Sequence, residues 1–182
     1  MPLTFTISYI EDSLAVFRQY KKLAEGAMEQ VSDQELVAVL DPEMNSIAQT
    51  VKHMAGNMRS RWTDFLTSDG EKPDRNRDSE FIAPPATRTH LLEVWERGWQ
   101  AAFGALGPLT DADLSRQVTI RGEPHSVMQA INRQIAHYSY HVGQIVLLAK
   151  HFRGENWRSL SIPRNRSAEF NQRVASGQAS QR

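Results

Sequence analysis

The stretch "RQIAHYSYHVGQIVLLAK", Arg133 to Lys150, decides the fold. Its apolar residues recur at steps of three and four, the period of an α-helix with one buried face. On a wheel of about 100° per residue with Ile131 at zero, Ile135, Tyr138, Val142, Ile145 and Ala149 fall within about 40° of it. His137 and His141 lie to one side, at about 120° and about 80°, with Ala130, Gln134 and Leu148 as companions on that flank. Histidines four apart sit one turn from each other, with Cβ atoms roughly 6 Å apart. Such a pair is either two satisfied histidines at the edge of a core or two ligands of one divalent ion, each nitrogen ~2.0–2.1 Å from it. The metal reading needs at least one more ligand from elsewhere.

Three other stretches carry the same period. Ile10, Leu14, Phe17, Ala24 and Met28 mark a helix over residues 8–30. Ile47, Val51, Met54, Met58, Trp62 and Phe65 mark a second over 45–66, after "DPEMNS", where Pro42 disfavours helix at Asp41. Leu92, Trp95, Trp99, Phe103 and Leu106 mark a third over 87–106, stopped by Gly107 and Pro108. Ser126 caps the fourth, which runs to about Phe152 with Gly154 as its C-cap. Between the first and second helices, Ser32 and Glu35 form a capping box for a short turn of helix.

The connections are less regular. "TSDGEKPDRNRDSEFIAPP", Thr67 to Pro85, reads as a long polar surface loop of the length that often carries function. "QVTIRGEPHS" alternates about a Gly turn and predicts a tiny hairpin before the fourth helix. After it come an irregular "NWRSLSIP", a short helix over "SAEFNQRV", and a polar tail, "SGQASQR", expected to fray. The expectation is an all-α chain, a four-helix bundle in one domain over 1–182, with its core at about 8–153 and an irregular extension at 154–182.

Composition narrows the function. The chain has 182 residues, enough for a sizeable core. Lys plus Arg and Asp plus Glu each number 21, so nothing argues for nucleic acid or an anionic membrane. There is no cysteine, which removes disulfides, thiolate zinc sites and cysteine nucleophiles. The N-terminal stretch, with Glu11 and Asp12, does not read as a signal peptide, and no run reaches the ~18–20 apolar residues of a membrane span. A cytoplasmic location is expected.

Of the remaining histidines, His151 lies ~15 Å along the helix axis from His141, too far to share an ion. His90 falls in a first helical turn and His125 in a turn, both expected in solvent. His53, in mid-helix, is the natural third ligand. Its own wheel opposes this: the apolar centre at Val51, Met58 and Trp62 lies roughly 160° away, where a residue is expected to be exposed. A helix packed on two sides would resolve the conflict, with Asn57 and Arg61 extending the His53 flank as a polar stripe.

A lone histidine in "NSIAQTVKHMAGNMRSRW" followed by "HYSYHVGQI" resembles the DinB/YfiT-like superfamily of small bacterial metalloproteins, over about residues 8–152. The resemblance implies a four-helix bundle, often dimeric, with three histidines holding a divalent metal at one open end. By motif match these are His53, His137 and His141, and the metal is nickel, zinc or a similar ion. It also implies that some relatives transfer or isomerise small substrates with low-molecular-weight thiols. The loop at 69–85 and the segment "NWRSLSIPRNRS" go beyond the minimal bundle.

Three neutral imidazoles leave an ion its full charge and at least one open position. Such an ion acidifies a bound water or holds a thiolate or carbonyl. A hydrolase needs the first behaviour and a thiol transferase the second, on a small-molecule substrate; the competing reading is a non-enzymatic scaffold with a structural ion or none. Asp64, Glu93 and Glu96 are the helical carboxylates a hydrolase could use as a base, each otherwise a surface group. Gln144 is either an outer partner of His141 or a surface amide. Arg59 and Arg61 could attract an anion, though flank arginines are ordinarily solvated. Trp62, Trp95, Trp99 and Tyr138 read as core, and Trp157 as a cover for one end. Tyr140 joins Ala136, Gly143 and Leu147 on an apolar outer face that fits a partner helix, hence a homodimer, or a covering loop.

Overall fold

A computed structural model describes residues 7–85 and 87–180 of the chain. The readings of the first six residues as no leader, and of the last two as a frayed end, lie outside the described residues. Four long helices carry the core: α1 (Tyr9–Met28), α3 (Ile47–Trp62), α4 (Arg88–Leu106) and α5 (Val127–Arg153). Short helices α2 (Asp33–Val37) and α6 (Ser167–Ala175) flank them, and a hairpin of β1 (Gln117–Ile120) and β2 (Glu123–Ser126) precedes α5. The protein is mostly helical, and among the described residues no helix is long and apolar enough to cross a membrane.

The helix starts follow from their caps. Ser32, Ser46 and Ser126 each accept a bond from the backbone three residues on, while Glu35, Gln49 and Gln129 reach back to the cap. Each box satisfies two backbone donors that a helix start otherwise leaves bare. α5 ends where Gly154 turns to φ 51°, a conformation that costs glycine little. The hairpin turns through Arg121 and Gly122, both at positive φ, pairing Ile120 with Glu123 and Gln117 with Ser126.

α3 packs on α4 and α5, and α1 packs on α5. α3 and α4 come close because Gly98 has no side chain: a Cβ there would stand 2.9 Å from the Ala55 Cα. At the centre, the fully buried Phe17 ring meets Trp62, Trp99 and Tyr138 at centroid distances of 6.4, 6.2 and 5.5 Å. Pairs of this kind add about 0.5–1.5 kcal/mol each beyond their buried area. The stripes of the first and second helices are buried throughout. On α4 Trp95, Trp99 and Leu106 are buried as expected, but Leu91 is buried in place of Leu92, and Phe103 is only half-buried. Trp157 is half-buried against the core from outside it. The second helix ends at Trp62, short of the expected Leu66, because Asp64 turns to positive φ.

Candidate metal centre

The wheel argument against His53 fails because α3 is covered on two sides. Its apolar face meets the neighbouring helices; the opposite flank lies under the loop at 67–85. His53 is buried, 4 % exposed, with Phe81 of that loop stacked on its ring at 4.7 Å. The loop is therefore more than surface: its outer residues are exposed, but Gly70 and Glu80 are buried. It is pinned at several points. Ser60 of α3 donates to the Gly70 carbonyl and accepts from the Lys72 N–H. Asp69 accepts from the backbone N–H groups of Arg121 and Gly122 in the hairpin turn, at 2.8 Å each.

His53 from α3 and His137 and His141 from α5 meet at one point. The Nε2 atom of His137 is 3.4 Å from that of His53 and 3.1 Å from that of His141. One ligand atom from each of the three lies within 4.8 Å of the others. Two nitrogens bound tetrahedrally to one ion at ~2.0–2.1 Å stand about 3.3–3.4 Å apart, close to the two separations measured from His137.

The outer faces of two rings are fixed. Glu80 Oε2 lies 2.8 Å from His53 Nδ1. Burial pushes the Glu80 carboxyl up, but hydrogen bonds from His53 and Arg75 outweigh it and hold it below the usual carboxylate range. Arg75 grips both Glu80 oxygens, through Nε at 2.8 Å and Nη2 at 2.9 Å. An ionised carboxylate only accepts, so His53 Nδ1 carries a proton, and in the neutral ring Nε2 then presents a bare lone pair. Gln144 Oε1 does the same for His141 Nδ1 at 2.8 Å. Both lone pairs then face His137 Nε2, whose single N–H could satisfy only one of them.

A proton does not resolve the conflict. Burial, then the neighbouring histidines and Arg133 and Arg61, lower the His137 pKa to about 3. Burial also lowers His141. The two α5 rings therefore resist protonation at ordinary pH, and a metal cation would satisfy the lone pairs that converge there. The donor set fits nickel, copper or zinc better than magnesium or calcium.

The triad opens on a cavity of about 470 Å³ that Asn57, Arg61 and Tyr140 also line. Beneath it, Gln134 donates to Asn57 and Tyr138, and Trp62 Nε1 donates to the Tyr138 hydroxyl, a closed buried network. Asp64, Glu93 and Glu96 are not among the cavity's lining residues, and Glu96 pairs with Lys21 at 3.0 Å instead. His90 and His151 are exposed and His125 is half-buried in β2, all three outside this cavity. Arg59 is exposed, as flank arginines usually are, but Arg61 is buried. Sequence reasoning missed Glu80 and Arg75. Loop residues carry no period, and the one signal was Phe81, an aromatic in a polar stretch.

Comparison with known proteins adds a family and no activity. No curated protein matches the chain. Residues 4–166 match a family described as "Protein of unknown function (DUF1572)". With its fold and histidine cluster embedded in that matched span, the chain belongs to the DUF1572 family.

Proposed function

We propose that His53, His137 and His141 hold a divalent metal, nickel or zinc, in a four-helix bundle of the DinB/YfiT-like type, and that the protein is a metal-dependent enzyme acting on a small molecule. The observation that carries this is the convergence of three Nε2 atoms, two of them with the proton held on the far nitrogen. A bound ion would supply Lewis-acid chemistry for a hydrolase or a thiol-dependent transferase. The chain's residues do the rest. Glu80, held by Arg75, aims the His53 ring; Gln144 aims that of His141; Phe81 closes one side against water. The cavity beside the triad favours an exchangeable coordination position over a closed structural ion. Having no carboxylate among its lining residues, it favours chemistry in which the substrate or thiol, not a side-chain base, meets the ion.

The test is titration of zinc and nickel into chelator-stripped protein, followed by assays for hydrolysis and thiol transfer. Wild type is expected to bind one ion per chain, and the His53→Ala, His137→Ala and His141→Ala variants to lose it. Unchanged affinity in all three overturns the proposal. We also propose that the outer face of α5 pairs with a second copy in the cytoplasm. Tyr140 and Leu147 are 63 % and 65 % exposed there, and Ala136 and Gly143 are exposed beside them. Leu147→Glu is expected to convert a dimer to a monomer in light scattering; a wild-type monomer contradicts it.

A further inference from the structure

The α3 stripe does not end at the histidine. His53, Asn57 and Arg61 recur at four-residue steps on one face, so all three line the cavity of the triad. Arg61 is 2 % exposed, the most deeply buried charged side chain among the described residues. Its Nε and Nη1 have no hydrogen-bond partner in the protein. A guanidinium carries five donors and stays charged, so burying one without an acceptor is costly unless something else supplies it.

The nearby acids are already engaged. Glu71 accepts from Arg75 at 3.0 Å and pairs with Arg121 at 3.5 Å. Asp69 is taken up by three backbone N–H groups, those of Glu71, Arg121 and Gly122. The loop leaves room for the guanidinium: a Cβ on Gly70 would stand 2.5 Å from Arg61 Nη1. Arg77, Arg121 and Arg133 line the same cavity, and no carboxylate does among the described residues. A chain of zero net charge has thus gathered cations around one concave site. The volume, about 470 Å³, is within the range of small-molecule sites, ~300–1,000 Å³.

We propose that this cavity binds its substrate through an oxyanion group, a carboxylate or a phosphate, seated on the Arg61 guanidinium, while the rest of the molecule reaches the histidine triad. The proposal rests on the metal-site reading for the second contact but not for the first. Arg77 and Arg133 stand at the exposed rim and draw the anion in; Arg61 at the buried end fixes its orientation with a planar fork. Their charges set up a positive field in the cavity that the triad also lines. A bound anion would offset that field and complete the charge balance of a site holding a divalent ion.

The experiment is an NMR titration of ¹⁵N-labelled full chain, reading the arginine Nε–H resonances, at constant ionic strength. The probes are inorganic phosphate, acetate and, as a neutral control, acetamide. Each is run on metal-free and on zinc-loaded protein. The Arg61 resonance is expected to shift saturably with phosphate or acetate at millimolar concentration in the metal-free protein, and not with acetamide. Comparing phosphate with acetate identifies the oxyanion. Followed at the Arg133 Nε–H, Arg61→Met is expected to weaken binding by about tenfold or more; followed at the Arg61 Nε–H, Arg133→Ala is expected to weaken it by about two- to fivefold. If Arg61→Met does not fold, Arg61→Lys decides: weakening of about threefold or more supports the proposal, and unchanged affinity overturns it. Absence of a saturable shift in the metal-free arm, or the same affinity in Arg61→Met, also overturns it. Failure of zinc to bind would remove the metal reading while leaving the metal-free anion result to stand or fall by itself.

Discussion

The two halves of the site are built differently. His137 and His141 stand one turn apart on α5, with Gln144 three residues further on the same helix. Their geometry is fixed by helical repeat alone. His53 depends on a contact between separate elements: its outer nitrogen is held by Glu80, 27 residues away in a loop, and Glu80 is held in turn by Arg75. Local periodicity suffices for the first half, and long-range packing is needed for the second. The second half also carries the ionic partner, since Gln144 is a neutral, half-buried amide and Glu80 a buried carboxylate.

That contrast can be broken most severely at the ligands. His53→Ala and His137→Ala should each reduce zinc or nickel affinity by more than about a hundredfold, beyond what outer partners reach. Competition with a chromophoric chelator measures it. If His53→Ala binds as wild type does, the α5 pair acts alone and the loop half is irrelevant.

Next come the outer partners. Glu80→Gln replaces an acceptor-only group with an amide and breaks the grip of Arg75, so affinity should fall by about 10–100-fold. Gly56→Ala reaches the same carboxylate without touching it chemically: a Cβ there would lie 2.2 Å from Glu80 Oε1. Affinity should fall by about tenfold, and the double variant should lose less than the sum, because both changes act through one group. Gln144→Ala should cost the least, about tenfold or below. Equal losses for Glu80→Gln and Gln144→Ala would erase the distinction between the halves.

The metal-free protein gives a smaller, pH-dependent signal. His137 has its pKa lowered from 6.5 to about 3, chiefly by burial. Between those values the unfolded chain takes up a proton that the folded chain refuses. Stability is therefore full above the window and falls as pH drops through it. Thermal melts from pH 7 to pH 4 should show a declining Tm, and a shallower decline in His137→Gln. A Tm that does not respond to pH contradicts the burial of that ring. Zinc should flatten the decline by binding only the folded form.

The long helices, their caps, the hairpin and the α5 histidines were legible in the sequence because each depends on spacing within one segment. Ser32 announced its short helix through Glu35, three positions on, and Ser126 read as the cap of α5. Leu91 and Leu92 show the limit: adjacent leucines are 100° apart on the wheel, and packing against neighbours chose the one that is buried. His53 was legible as a candidate only against its own wheel, since a helical wheel assumes one buried face and α3 has two. Glu80, Arg75 and the burial of Arg61 were not legible. They follow from a loop folding back across α3, through pins at Ser60 and Asp69 that have no sequence period.

The proposed site stands on three imidazole nitrogens sharing one ion. X-ray absorption at the zinc edge of reloaded protein, together with anomalous scattering from its crystals, tests it most directly. One zinc per chain is expected, with three nitrogen neighbours at ~2.0–2.1 Å, from residues 53, 137 and 141, and an exchangeable water oxygen completing the shell. An ion bound elsewhere, or held by the α5 pair with the ring of residue 53 outside the shell, would contradict it.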